Sequence, residues 1–252
     1  PLYTITLNRI FTMNIYKRAQ IKRYPPIIGV DVSGGYNRDS SAITVIDSET
    51  TDVIATLNCN YISIPDLAKC IYELVVKYMP NAIVNIERNG GFGASVIGIL
   101  KKSKIKRNLY YEIKDRVIED RIDPNGSGFN KRKQKTKVYG FDETKASRNM
   151  LMEILRDRMD NHKNRFIAEI IYNELCTLEV KKNGKIEHTD NGHDDQIFSY
   201  LMALYVWYYG KDLMENFGMD KRMIRTDTED DVELDAIEND SYDDISKYIE
   251  TE

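Results

Sequence analysis

The chain has 252 residues, of which 42% are hydrophobic and 30% are charged, and its formal net charge is −4. No stretch approaches the roughly 18 consecutive apolar residues of a membrane span, which excludes a membrane-spanning helix. The three cysteines, Cys59, Cys70 and Cys176, form no CxxC pair, which argues against a disulfide framework or a zinc site and indicates a reducing compartment.

The first half of the chain predicts an α/β domain. Residues 1–24 have mixed polarity and no clear period, so we expect a linker or N-terminal arm there. After Pro25 and Pro26, three β-rich runs separated by turn residues predict consecutive antiparallel strands. Those runs are Ile27–Val32, Ala42–Asp47 and Val53–Asn58. A helix, a strand, a helix and a strand are then predicted over Pro65–Met79, Ala82–Ile86, Phe92–Lys102 and Leu109–Ile113. This order predicts a mixed central β-sheet flanked by helices, as in RNase H-like nucleases.

The second half contains a basic excursion. Residues 101–137 hold 13 Lys or Arg against 5 Asp or Glu, and we predict a long β-hairpin over Lys114–Tyr139. Such a stretch suits a polyanionic partner, although a solvated loop is the alternative. Helices are predicted over Asp142–Met159, Phe166–Leu175 and His193–Tyr209, and a short hairpin over Leu178–Val180 and Ile186–His188.

The C-terminal end is strongly acidic. Residues 227–252 carry 12 acidic side chains and one basic side chain, a composition that predicts disorder. We therefore expect an N-terminal arm over 1–24, an α/β domain over 25–210 and an acidic, flexible tail over 211–252.

Carboxylates stand at the ends of the most apolar elements. Asp31 closes the first predicted strand, Glu87 follows the strand Ala82–Ile86, and Asp194 and Asp195 open the last helix. Converging carboxylates repel one another unless a divalent cation neutralises them, so we predict a metal site of the Mg²⁺ or Mn²⁺ kind. Taken singly, each residue is also compatible with a turn, a helix cap or a solvated position.

Four segments resemble, in the same order, the C-terminal nuclease domain of the large terminase subunit, the DNA-packaging motor of tailed bacteriophages. They are Gly29-Val30-Asp31 with Gly34-Gly35 and Asp39-Ser40-Ser41-Ala42, then Ile86-Glu87-Arg88-Asn89-Gly90-Gly91-Phe92-Gly93, then Gly140-Phe141-Asp142-Glu143-Thr144-Lys145, and finally Gly192-His193-Asp194-Asp195. The resemblance covers residues 27–209. It implies an RNase H-like domain that cuts concatemeric double-stranded viral DNA during genome packaging, with two divalent cations.

The resemblance also implies the metal ligands. Asp31, Glu87 and Asp195 would form the catalytic, metal-binding triad, with Asp194 as the rival for the third place. Asp39 would be an auxiliary acid that holds a second ion or its water, unless it is a turn residue at the start of a strand.

Further residues would contact the substrate. His193 could contact metal or the scissile phosphate, and Lys145 could steady a phosphate; the alternatives are a neighbour of the helix cap and a solvated first-turn lysine. The candidates for the DNA backbone are Arg116, Arg121, Lys131, Arg132, Lys133, Lys135 and Lys137.

Two features depart from the pattern. Phe198 stands where many members of the family carry another acid, so the site must work with fewer carboxylates. No GxxxxGK[ST] phosphate loop occurs, and the chain begins at Pro1 without a signal pattern, so we expect a fragment whose ATPase domain lies N-terminal to it. The implied partners are that domain, the portal protein and the small terminase subunit, in the host cell cytoplasm and away from membranes.

Three alternatives remain at this point. A junction resolvase or a transposase-like nuclease shares the acidic pattern, but residues 140–145 favour a terminase. An actin-like sugar kinase or ATPase would need a duplicated domain, which the length forbids. A catalytically silent module that binds DNA or portal protein is disfavoured because all three carboxylates are present.

Overall fold

The computed structural model describes residues 1–17, 24–34, 39–121, 129–161, 168–182, 186–190 and 192–219, with the backbone alone at 118–121 and 129–132. Residues 1–219 make up one unit. The acidic stretch predicted to be disordered, 227–252, lies outside the described residues. Among the helices that are described, none has the length and apolar character needed to cross a membrane.

A six-stranded mixed sheet forms the centre of the domain. Its strands are β1 (Tyr3–Leu7), β2 (Phe11–Ile15), β3 (Ile27–Asp31), β4 (Ser41–Ile46), β5 (Val53–Cys59) and β6 (Ile83–Ile86). They lie in the order β1-β2-β5-β4-β3-β6, and all neighbours are antiparallel except β3 and β6, which are parallel. The predicted meander of β3, β4 and β5 is confirmed, and β3 is an interior strand with partners on both sides.

Helices cover both faces of this sheet. They are α1 (Ile64–Glu73), α2 (Phe92–Leu100), α3 (Lys145–Asn161), α4 (Glu169–Leu175), α5 (Asp195–Tyr209) and α6 (Leu213–Phe217). A π-helical turn, Leu74–Tyr78, continues α1, and a 3-10 turn, Lys104–Asn108, follows α2. The predicted fold class, a mixed sheet flanked by helices, is confirmed.

Side-chain alternation along β3 separates the two faces. Ile28 and Val30 belong to the core cluster that includes α1 and α2. Gly29 points the other way, toward α5, where an added Cβ would lie 1.9 Å from Ser199 O. Because successive side chains on a strand alternate, Asp31 shares the α5 face with Gly29. The α5 face is therefore where the carboxylate of this strand emerges.

The N-terminal segment differs from its prediction as a linker or arm. Residues 3–15 form the β1–β2 hairpin, and β2 pairs with β5 at the edge of the sheet. Leu7, Phe11, Met13 and Ile15 are at most 4% exposed, so the hairpin contributes to the core. The alternation of Phe11, Met13 and Ile15 carried this signal, but five-residue strands with polar outer faces give only a weak period.

A long hairpin stands apart from the central sheet, as predicted. It consists of β7 (Tyr111–Arg121) and β8 (Phe129–Tyr139), paired antiparallel throughout. Both arms are fixed to β6 at their base: Tyr110 N donates to Val84 O at 2.8 Å, and Phe141 N donates to Ile86 O at 2.8 Å. The predicted strand Leu109–Ile113 is thus a bridge to β6 followed by the first residues of the hairpin.

The C-terminal part of the unit contains smaller adjustments. The short hairpin of β9 (Leu178–Val180) and β10 (Ile186–His188) has the predicted bounds. Helix α3 starts later than predicted because Thr144 and Ser147 cap it reciprocally, with Thr144 N donating to Ser147 Oγ at 2.8 Å. The predicted domain end at 210 is also too early, since α6 follows and Leu213 is only 4% exposed.

Candidate metal centre

Asp31 and Glu87 come together because their strands are parallel. The register pairs Val30 with Ile86, and Glu87 N donates to Val30 O at 2.9 Å, so the next residue on each strand is a carboxylate. The two side chains hydrogen-bond to each other. Since carboxyl ends of parallel strands meet at one edge, the sheet itself places both acids side by side.

The third acidic segment arrives on α5. Asp194 is the N-cap of this helix, and Asp195, in its first turn, is only 9% exposed. Ser40 N donates to Asp195 Oδ2 at 3.1 Å, which ties the start of α5 to the segment before β4. Asp194 and Asp195 both raise the pKa of Asp31 through their charge. The structure therefore gathers all four predicted acids at one end of the sheet.

A buried polar network fixes the packing of α5 against the sheet. Gln196 Nε2 donates to Ile43 O at 3.0 Å and to Thr44 Oγ1 at 2.6 Å, and Thr44 and Ser199 share a hydrogen bond of 2.6 Å. Farther along, Asn85 Nδ2 donates to Met202 O at 3.0 Å. These bonds satisfy the buried amide nitrogens of Gln196 and Asn85, which would otherwise be costly to bury, and they fix the position of the start of α5, where Asp194 and Asp195 lie.

Burial and mutual repulsion oppose ionisation of these acids. The pKa of Asp31 is raised well above its usual value, first by desolvation and then by Glu87. Desolvation also raises the pKa of Glu87 and that of Asp194, and it raises the pKa of Asp195 to about 6. A cluster in which charge is this unfavourable would be stabilised by any bound cation.

Three of these acids, Asp31, Glu87 and Asp194, line a small cavity of about 160 Å³, whereas Asp195 is not among its lining residues. Two charged residues of its lining, Glu143 and Arg148, were not predicted from the sequence as site residues. Glu143 lies inside the segment 140–145, but sequence alone does not tell which member of the Asp142-Glu143 pair faces the acids. The complete lining is Asp31, Glu87, Phe141, Glu143, Arg148, Leu151, Asp194, Phe198 and Met202.

The chemistry of this donor set suits a hard divalent cation. Carboxylate oxygens are the ligands that Mg²⁺ and Mn²⁺ prefer. In the described residues, no three His, Cys, Asp or Glu side chains already adopt a metal-binding arrangement, and Asp31 and Glu87 hydrogen-bond to each other. That carboxyl–carboxylate bond requires a proton in the place where a cation would otherwise relieve the repulsion.

The auxiliary candidates lie at different distances from the acids. The charge of Asp39 raises the pKa of both Asp194 and Asp195, which places it beside α5. His193 is 59% exposed, and its Nδ1 lies 3.9 Å from Asp195 Oδ2. Lys145 is an exposed first residue of α3 and is not part of the cavity lining.

The basic hairpin extends from the same end of the sheet. Among the predicted DNA-binding residues, Arg116, Lys133, Lys135 and Lys137 are exposed. Arg121, Lys131 and Arg132 lie within β7 and β8, but their side chains are outside the described part of the chain. A groove between α2 and the hairpin base is lined by five cationic side chains. Arg116 and Lys137 were predicted to bind DNA, whereas Arg88, Lys101 and Lys114 were not.

Comparisons with known proteins give a result for structure alone. No protein-family model matches the chain, and no curated protein matches it significantly. The solved structures that it resembles include the large terminase nuclease from thermophilic phage G20c with bound magnesium, at a TM-score of 0.53 and 17% identity over 78% of this chain and 88% of that chain. The cobalt-bound form gives 0.51 and 15% identity over 79% and 89%.

A second phage gives a similar result. The large terminase nuclease domain of Thermus phage P74-26 has a TM-score of 0.50 and 18% identity, over 82% of this chain and 90% of that chain. At identities this low, the similarity establishes a shared fold and nothing more specific. The chain thus has the fold of phage large terminase nuclease domains over most of its length.

Proposed function

We propose that this chain is a divalent-metal-dependent endodeoxyribonuclease that hydrolyses phosphodiester bonds of double-stranded DNA. Asp31, Glu87 and Asp195 would hold two divalent cations, Mg²⁺ or Mn²⁺, with Asp194 as the rival third ligand and Asp39 as an auxiliary acid. The supporting observation is the hydrogen bond between Asp31 and Glu87 on adjacent parallel strands, with Asp194 and Asp195 close enough to raise the pKa of Asp31.

The surroundings of the acids suit this chemistry. Bound divalent cations would supply activation of the attacking water and neutralisation of charge on the phosphate. Glu87, Asp194 and Asp195 all affect the pKa of Asp31 through their charge, so the Asp31 carboxylate would help to hold the cations. Phe141, Phe198 and Met202 contribute apolar side chains to the lining of the cavity, which lowers the local dielectric constant and strengthens electrostatic interactions there. His193, exposed beside Asp195, would contact a metal ion or the scissile phosphate.

The substrate would be held by charge. The exposed Arg116, Lys133, Lys135 and Lys137 of the hairpin, together with the cationic groove beside α2, offer contacts to phosphates and no pattern for reading bases. Binding would therefore tolerate many sequences and weaken with salt. Lys145 at the start of α3 would add one further phosphate contact.

The biological setting that we propose is viral genome packaging. The chain would make the initiating and terminating cuts in concatemeric DNA, joined to an N-terminal ATPase domain and acting with portal protein and the small terminase subunit in the host cytoplasm. The shared fold and the segment Gly140–Lys145 support this setting over that of other RNase H-like nucleases.

Incubation of the purified chain with supercoiled plasmid and millimolar Mn²⁺ or Mg²⁺ tests the proposal. We expect nicked and then linear DNA, no cutting with EDTA, and loss of cutting in Asp31→Asn. Asp160→Asn, at an exposed position near the end of α3, is the matched control and should cut like the wild type. Absence of cutting by the wild type would contradict the proposal, and so would cutting by Asp31→Asn at the wild-type rate.

A further inference from the structure

Glu143 occupies a position that the backbone fixes beside Glu87. Arg88 N donates to Phe141 O at 2.8 Å, and Asn89 Nδ2 donates to Glu143 O at 2.8 Å. The segment before α3 is therefore bonded to the residues that directly follow Glu87. The backbone at 143 cannot move far from Glu87 without breaking these bonds.

The Glu143 carboxylate has two partners at the cavity. It hydrogen-bonds to the Glu87 carboxyl, and it accepts a charge-assisted hydrogen bond from Arg148 Nη1. Its side chain is 27% exposed, so it stands between the interior acids and solvent. One face of Glu143 thus meets an acid of the proposed metal centre, and the other meets a cation.

Arg148 is itself held on the far side of Glu143. Its Nη2 donates to Ile186 O at 3.1 Å, and its guanidinium lies 4.6 Å from the centre of the Phe198 ring. Phe198 of α5 therefore faces the cavity, and its ring stabilises the guanidinium of Arg148. Glu143 and Arg148 neutralise each other as an ion pair. A stronger cationic partner of Glu143 would displace Arg148 from this pair.

We propose that Glu143 is an additional carboxylate ligand of the metal centre, supplied from the start of α3, and that Arg148 pairs with it when no cation is bound. This inference rests on the proposed function, because it concerns the same centre. It follows that Arg148 competes with the cation for Glu143. Removal of Glu143 should weaken cation binding, whereas removal of the Arg148 charge should strengthen it.

Mn²⁺ binding, measured from the electron paramagnetic resonance signal of free Mn²⁺, tests this without any reference to DNA cutting. Glu143→Gln should lower Mn²⁺ affinity by about tenfold or more. Arg148→Met, which retains an apolar side chain over Phe198, should raise the affinity several-fold. Glu153→Gln, at an exposed position of α3, should leave it unchanged. Thermal unfolding without metal identifies any variant that has lost its fold. If Glu143→Gln is unfolded, Glu143→Asp replaces it.

The outcomes separate this inference from the proposed function. Wild-type Mn²⁺ affinity in Glu143→Gln would overturn it, as would equal weakening in Glu143→Gln and Arg148→Met, which would make Glu143 an anchor for Arg148 alone. In either case, loss of Mn²⁺ binding in Asp31→Asn would leave the proposed function intact. Failure of the wild-type chain to bind Mn²⁺ would overturn both.

Discussion

Glu174 on α4 accepts a hydrogen bond from the backbone N–H of Ile197 at 2.9 Å. The first turn of α5 receives no cap from the side chain of its own N-cap residue, Asp194, so α4 supplies a carboxylate to the free N–H groups there. The pKa of Glu174 is raised to about 7, mainly by burial, with the N–H of Ile197 acting to lower it and the charge of Asp195 acting to raise it. A buried acid thus stands directly behind the helix start that carries Asp194 and Asp195.

The raised pKa of Glu174 predicts a loss of stability as pH rises. The folded chain keeps a proton on Glu174 up to about pH 7, whereas the unfolded chain loses it near its ordinary value of 4.5. Between these values the folded state binds more protons, so the free energy of unfolding falls with pH, by about 1.4 kcal/mol per pH unit at most for one group. Glu174→Gln should flatten this slope in urea unfolding between pH 5 and 8. The exposed Glu169→Gln on the same helix should retain it, and an unchanged slope in Glu174→Gln would contradict the assignment.

The repulsion among the acids predicts that Asp31→Asn stabilises the metal-free chain. Desolvation and the neighbouring Glu87 raise the pKa of Asp31, so its ionised form is unfavourable at neutral pH. We expect the melting temperature to rise by about 2 to 4 °C, which is about 1 kcal/mol for a chain of this size. Millimolar Mn²⁺ should stabilise the wild type and not the variant. A lower melting temperature for Asp31→Asn without metal would contradict this account.

Two glycines of α2 predict opposite effects of one substitution. A Cβ at Gly93 would lie 1.6 Å from Glu87 O, whereas nothing lies within 4 Å of a Cβ at Gly98. Gly93→Ala should therefore displace the Glu87 backbone, destabilise the fold by about 2 kcal/mol or more, and reduce DNA cutting. Gly98→Ala should stabilise the fold by about 0.5 to 1 kcal/mol, because alanine is the better helix former. Urea unfolding of both variants measures the difference, and the same sign for both would contradict the contact at Gly93.

The exposed lysines of β8 predict the salt dependence of DNA binding. Lys133 and Lys135 are two residues apart on one strand, so they project from the same face of the hairpin. Replacing both with Gln should weaken binding to a labelled duplex and reduce the slope of log K against log salt by about 2, or nearly one per lost phosphate contact. Fluorescence anisotropy in EDTA at several salt concentrations measures this slope. Lys69 and Lys77, exposed on the α1 side and paired with Asp66 and Glu73, provide the control pair, which should leave the slope unchanged.

The sequence predicted the parts of the site that depend on local pattern. Apolar runs ending in Asp31 and Glu87 were enough to predict two strands with adjacent acids, and the apolar stretch after Asp195 was enough to predict a buried helix. Glu143 could not be assigned in this way, because its position depends on Phe141 pairing with Ile86 across more than fifty residues of chain. Glu174 was equally hidden, since its role is to cap a helix that begins far along the sequence.

The fold shows the same division between local and distant information. The meander, helices α1 to α5 and the hairpins β7–β8 and β9–β10 have strong periods or turn signals, and their existence was predicted, whereas α6 was not. The β1–β2 hairpin was missed because its outer residues are polar and its inner residues acquire meaning only against β5. The π-helical turn after α1 was also invisible, since Leu74 and Val75 fit an ordinary helical stripe and differ only in their hydrogen-bond partners.

The attachment of the long hairpin has a mechanical consequence. Each arm is 11 residues long, or about 37 Å at the usual strand rise, and both arms are bonded to β6 through Tyr110 and Phe141. A force applied to the outer half of the hairpin would act with a long lever arm on the base of the hairpin. That base is bonded to Ile86, the residue directly before Glu87. A tilt of the whole hairpin would pull on the backbone that carries this acid.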